Sequence, residues 1–185
     1  MGQLGVLRAA RLIPAKLLTA VKAAQKLLEK DDADIQKRAR KIAGFLSDKS
    51  PVIYAPDHIE AVAVRWRQQI NENAKMLGWH HVIPEMNHNE LVGWRNNRPD
   101  LAVIWLRNRD DFDRTARRID INREIVEHFT GTSIEVWSKG KSLIEKAFYL
   151  VHLGDWVSYF LAELREVDAV EIKVIDYLKG ELAKV

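Results

Sequence analysis

Leu101-Ala-Val-Ile-Trp-Leu106 is an unbroken apolar run, bounded by Asp100 and Arg107. It lacks the alternation of a half-exposed strand and is too short for a stable helix, so it reads as a strand buried on both faces. Strands of that kind belong to parallel sheets covered by helices, and the flanking sequence agrees. Residues 51–55, closed by Pro56-Asp57, and residues 79–83 and 133–137 are further short strand-like runs. Helical spacing fills the intervals: a long helix over 59–77, a shorter one over 87–94, and a charged one over 111–128. After the fourth strand come a long apolar helix over 142–164 and a last helix over 170–182. Strands joined by helix-length crossovers predict a parallel sheet in a three-layer, doubly wound, flavodoxin-like α/β fold. Ahead of it, residues 4–46 carry apolar side chains at helical spacing, broken at Pro14 and at Asp31-Asp32, which predicts two or three helices. The expected division is a helical connecting segment over 1–48 and an α/β domain over 49–185.

Composition narrows the function. With 185 residues, 47% of them hydrophobic and 30% charged, the chain reads as one soluble globular domain plus a helical segment. No apolar stretch approaches the roughly 20 residues that span a bilayer, and no secretory signal opens the chain, so a cytoplasmic protein without membrane contact is expected. The absence of cysteine excludes disulfides, thiolate nucleophiles and zinc–thiolate sites. A net charge of +3, with both signs interleaved, argues against a nucleic-acid partner.

In a doubly wound sheet, ligands gather beyond the carboxyl ends of the strands, which directs attention to the segments after Ala55, Ile83, Leu106 and Trp137. Ile83-Pro-Glu-Met-Asn-His-Asn-Glu90 is one of them. His88 there suits proton transfer near neutral pH. The same residues also read as a helix start, with Asn87 as cap and Glu90 completing a capping box. Ser138-Lys-Gly-Lys-Ser142 follows the fourth strand and opens a helix, so its amides and Lys141 read as an anion or subunit contact, or as a plain capped turn. Glu135 stands where a P-loop requires glycine.

Arg65-Trp-Arg-Gln-Gln-Ile-Asn-Glu-Asn-Ala-Lys75 lies in the helix predicted over 59–77. At helical spacing Glu72 and Lys75 share a face, so the ammonium can hold the carboxylate ionised. The pair is either a proton-transfer base with its counter-ion or an ordinary solvated ion pair. Lys179, near the end of the last helix, reads as a charge favourable at a helix C-terminus. His80 and His81 are adjacent on a strand and should face opposite ways, which argues against a metal cluster with His88. The tryptophans read as core and interface anchors rather than a platform for stacked bases.

Taken in order, Pro51-Val-Ile-Tyr54, Arg65-Trp66, Asn71-Glu-Asn-Ala-Lys75, Pro84-Glu-Met-Asn-His-Asn-Glu90, His128-Phe-Thr-Gly-Thr132, Leu153-Gly-Asp-Trp-Val-Ser158 and Ile175-Asp-Tyr-Leu-Lys179 resemble the C-terminal half of the bifunctional phosphoglucose/phosphomannose isomerases. These belong to the SIS (sugar isomerase) superfamily. The resemblance implies interconversion of glucose 6-phosphate and mannose 6-phosphate with fructose 6-phosphate through a cis-enediol, without cofactor or metal. It implies Glu72 as the base, and His88 and Lys179 as helpers in ring opening. Arg65, Asn73, Lys75, Glu85 and Asn89, which lie in the matching motifs, are the implied substrate contacts. In the family the histidine comes from the neighbouring subunit, so a homodimer is implied. Relatives also carry a preceding SIS domain whose Ser/Thr-rich loop holds the phosphate. The chain thus reads as a shortened product or as one half of a split enzyme. The alternatives are a non-catalytic sugar-phosphate-binding module or an oligomerisation module of the same fold.

Overall fold

A computed structural model describes residues 2–185. Helix α1 (Gly2–Ala9) and a turn through Pro14 lead into α2 (Ala15–Leu46), which runs on for 32 residues. The expected break at Asp31-Asp32 does not occur. Aspartate costs a helix only about 0.7 kcal/mol, and here the carboxylates are engaged: Lys139 reaches Asp31 (2.9 Å) and His152 reaches Asp32 (3.2 Å).

The sheet consists of β1 (Ser50–Pro56), β2 (Trp79–Ile83), β3 (Leu101–Arg107) and β4 (Ser133–Trp137), all parallel, in the order β2-β1-β3-β4. Every residue of β3 is buried, as its uninterrupted apolar run requires. Between the strands lie α3 (Glu60–Asn73) and α4 (Asp113–Glu127), and after β4 come α5 (Leu143–Leu164) and α6 (Lys173–Leu182). One face of the sheet (Ile53, Ala55, Ile104, Leu106) packs with α2, α3 and α5. The other (Val52, Tyr54, Val103, Trp105) packs with α4 and with Met86 and Trp94 from the connection after β2. The three-layer doubly wound fold is therefore the one expected, with its switch point between β1 and β3. Ile35, Ala39, Ala43 and Leu46 are wholly buried in the first core, so the second half of α2 packs as part of the α/β body.

Two segments depart from the predicted elements. Residues 87–94 form no α-helix but two short 3-10 turns, Glu85–His88 and Glu90–Gly93, separated by Asn89 at φ −142°, ψ −67°. Asparagine and histidine compete poorly for helix, and it is Asn89, not Asn87, whose side chain caps the following turn at the Glu90 N–H. Helix α3 stops at Asn73 rather than running to residue 77. Lys75 there adopts φ 54°, the left-handed geometry that ends helices and that glycine usually supplies.

Candidate active site

Helix α3 starts at the carboxyl edge of the sheet, beside the end of β1, and runs back to the amino edge, where β2 begins. Its last turn carries Glu72. The strand β2 then returns to the carboxyl edge and delivers the 84–94 connection with His88. The two residues thus lie at opposite ends of the sheet, on the order of 20 Å apart given the length of the elements between them. The rule that ligands gather at the carboxyl edge locates His88 but not Glu72.

Around Glu72 a concavity of about 870 Å³ opens between the end of α3 and the start of α6, lined by Arg67, Glu72, Lys75, Met76 and Ile175 among others. The Glu72 side chain is exposed there, with no hydrogen bond or ion pair among the described residues. The expected pairing with Lys75 is replaced by another. The Lys75 ammonium donates to the backbone carbonyl of Glu72 (2.6 Å) and to that of Glu171 (2.6 Å). It therefore caps the negative end of α3 and clasps the lead-in to α6 against it. A lysine in left-handed backbone costs roughly 1–2 kcal/mol, and those two bonds, out of reach of a glycine, offset it.

The remaining sequence-derived candidates divide clearly. Arg65 forms a two-pronged ion pair with Asp155 on α5 (3.0 Å for each bond), which holds its guanidinium above the usual arginine range chiefly through that hydrogen bond. Asn73 donates to Ser158 on the same helix (2.9 Å). Glu85 and Asn89 sit exposed on the His88 connection, bonded weakly to each other at 3.4 Å. Lys179 lies exposed on α6, one turn beyond Ile175 in the cavity wall. Glu72, His88 and Lys179 are thus the candidates whose side chains make no bond among the described residues, whereas Arg65, Asn73 and Lys75 fasten helices together. Sequence reasoning missed Arg67, which lines the Glu72 concavity, has a buried Nε without a partner, and pairs with no carboxylate among the described residues. Its only signal in the sequence was its place one turn before Asn71 in the same motif.

At the carboxyl edge the switch-point crevice is filled by the chain itself. Ser138 donates to Asn108 (2.7 Å), Asn108 donates through both its backbone and its amide to the buried Asp111 (2.8 and 3.0 Å), and His58 faces Asp111 at 3.4 Å. The start of α5 is likewise closed. Ser142 and Glu145 form a capping box, and the Glu145 carboxylate accepts from the Lys141 and Ser142 amides where an anion would bind. Those amides hold the Glu145 carboxyl below the usual glutamate range. Of the two readings of 138–142, the capped turn is the one formed. Gly140 makes it possible, at φ 117° with its missing side chain replaced by Glu145 Cβ only 2.5 Å from the site of a Cβ. Gly140→Ala is expected to cost about 2 kcal/mol by straining the turn and breaking the box, read as a shift in the urea midpoint at unchanged m. No group of three or more His, Asp or Glu side chains is placed to hold a metal among the described residues. No helix among them is long and apolar enough to cross a membrane.

The parallel order 2-1-3-4 between two helical layers is the arrangement of a doubly wound α/β domain. The fold is shared with a glucose-6-phosphate isomerase like protein from Thermus thermophilus, at a TM-score of 0.62 and 23% identity over 77% of this chain and 46% of that one. The chain belongs to the family described as the bacterial phospho-glucose isomerase C-terminal SIS domain, whose model matches residues 35–182. It is 36% identical over 163 residues to the bifunctional phosphoglucose/phosphomannose isomerase of Aquifex aeolicus, covering 87% of this chain and 51% of that protein. Identity is also 36% to the bifunctional phosphoglucose/phosphomannose isomerase of Thermoplasma volcanium, over 86% of this chain and 52% of that one. The chain therefore spans about half the length of the curated relatives it matches, and the resemblance to the C-terminal half of the bifunctional phosphoglucose/phosphomannose isomerases is borne out.

Proposed function

We propose that the chain is the base-bearing half of a sugar-phosphate isomerase that interconverts glucose 6-phosphate and mannose 6-phosphate with fructose 6-phosphate. The observation that carries this reading is the unpaired Glu72 carboxylate in the wall of a cavity that also holds the unpaired Arg67 guanidinium. Glu72 removes the C2 proton of the open-chain aldose and returns it to C1, while the O2 hydroxyl proton passes to O1. One carboxylate serves both directions because it releases the proton it has taken. Arg67 and Lys179 are the cations available to stabilise the enediolate, so positioned charge suffices for the step. Both epimers share the enediol, which lets one base act on either.

His88 serves ring opening, moving a proton between the O1 hydroxyl and the ring oxygen as the C1–O5 bond breaks. Within one chain it is too far from Glu72 to reach the same sugar, so His88 of a second copy completes the site. A twofold dimer supplies both pairs at once. Phosphate binding falls to a preceding SIS half, since the carboxyl-edge anion positions here are taken by Asp111 and Glu145. The stretch ahead of residue 35, before the half of α2 that packs into the α/β body, acts as the connection to that half. The test is a coupled assay with fructose 6-phosphate on this chain mixed with a separately expressed preceding half, with and without a chelator. Turnover in the mixture that the chelator leaves unchanged is expected. Silence in a mixture shown to assemble would remove the catalytic reading and leave a binding or oligomerisation module.

A further inference from the structure

The 84–94 connection that bears His88 has little regular structure of its own, yet a single carboxylate fastens it to two strands. Glu90 Oε1 accepts from the Tyr54 hydroxyl on β1 (2.6 Å) and from the Trp79 indole N–H on β2 (3.0 Å). The Trp94 indole, at the far end of the connection, donates to the same Tyr54 oxygen at 3.0 Å. Tyr54 is fully buried and packed against Trp105, with ring centroids 4.7 Å apart and the planes tilted by 32°, so it is a fixed post. Burial, reinforced by the Glu90 charge, pushes its hydroxyl well above the ordinary phenol range, so it remains a donor at any working pH. A second tie holds the other side: the Asn87 amide donates to buried Asn122 on α4 (2.6 Å), beneath the buried Met86. His88 lies between Asn87 and Glu90, held on both sides while its own ring makes no bond among the described residues.

We propose that Glu90 is a positioning residue for His88, acting through Tyr54 and Trp79 to hold the 84–94 connection in the one arrangement that presents the imidazole outward. The inference rests on the functional reading of His88 but adds a residue that reading does not use. Both accepted bonds fall on Oε1, so an amide oxygen can replace it. This separates the brace from the charge: Glu90→Gln keeps both bonds, Glu90→Ala removes both, and Trp79→Phe, at a half-exposed site where folding is safe, removes one.

The experiment has two readouts. On this chain, amide hydrogen exchange over 85–94 and the His88 ring resonances are compared among the variants. Exchange in Glu90→Ala is expected to rise about tenfold or more, with His88 signals moving toward random-coil positions. Trp79→Phe should give a smaller change in the same direction, and Glu90→Gln almost none. In the assembled isomerase, kcat should fall roughly tenfold in Glu90→Ala with KM nearly unchanged, and Glu90→Gln should stay within about threefold. Unchanged exchange and His88 signals in Glu90→Ala would overturn the brace. A loosened connection with undiminished kcat would overturn the positioning role, and so would an equal loss of kcat in Glu90→Gln. An assembly silent even in the parent chain would count against the isomerase reading alone, since the exchange and resonance data decide the brace without turnover.

Discussion

Glu72→Gln is expected to lower kcat of the assembled isomerase on the order of 10³-fold, with KM little changed. The amide keeps the size and the hydrogen-bonding outline of the carboxylate, so what disappears is the basicity. Because the Glu72 side chain is exposed and makes no hydrogen bond or ion pair among the described residues, the change should leave folding stability within about 0.5 kcal/mol. A loss of turnover at constant melting temperature isolates chemistry from structure. Retention of most of the turnover would remove Glu72 from the mechanism.

The second large effect lies in the core. Trp66 is fully buried on α3, and its indole N–H donates to the Leu150 carbonyl of α5 at 2.8 Å. Its ring lies flat over Gly154, so that a Cβ there would come within 2.3 to 2.5 Å of three indole atoms. Gly154→Ala must therefore push the indole away, lose its hydrogen bond, or part the two helices. Overpacking of this kind costs about 3 kcal/mol, the upper end of the usual range, because the group in the way is a large, fully buried ring. For a chain of this length that lowers the melting temperature by about 10 °C. Trp66→Phe made in the Gly154→Ala background should recover part of the loss, the coupling expected of residues in contact. If Gly154→Ala melts with the parent chain, the tight approach of α3 and α5 is wrong. The site is affected too, since the α3 that this lock seats is the helix that carries Glu72.

How much could be read beforehand depends on whether the information was local. The four strands were legible because each is a short β-branched or aromatic run with proline, aspartate or glycine nearby. The doubly wound class followed from strands alternating with helix-length crossovers, whereas the strand order 2-1-3-4 is seen only in the fold. Helix ends were less legible: Asp31-Asp32 looked like a break because its partners, Lys139 and His152, lie more than 100 residues away. The 87–94 segment matched a capping box in spacing, but Glu90 is drawn instead to Tyr54, a partner that only the sheet brings near. Arg65 and Asn73 likewise stand in a recognisable motif, yet whether they meet a ligand or α5 is decided by Asp155 and Ser158, 90 and 85 residues on. Glu72 and His88 stood out as candidate proton-transfer groups from residue type and placement, whereas Lys179 became a candidate only through the family resemblance. That Glu72 and His88 lie at opposite ends of the sheet was a consequence of topology and could be seen only in the fold.

That separation makes the central claim testable by complementation. Glu72→Gln and His88→Ala chains are each assembled with the preceding half, assayed alone, and then assayed after mixing under conditions that exchange subunits. Two copies sharing a site predict that each variant alone is nearly inactive. The mixture should then recover up to about a quarter of parental turnover, because half the dimers are mixed and each holds one intact Glu72–His88 pair. A mixture shown to contain mixed dimers, yet no more active than its components, would contradict the shared site.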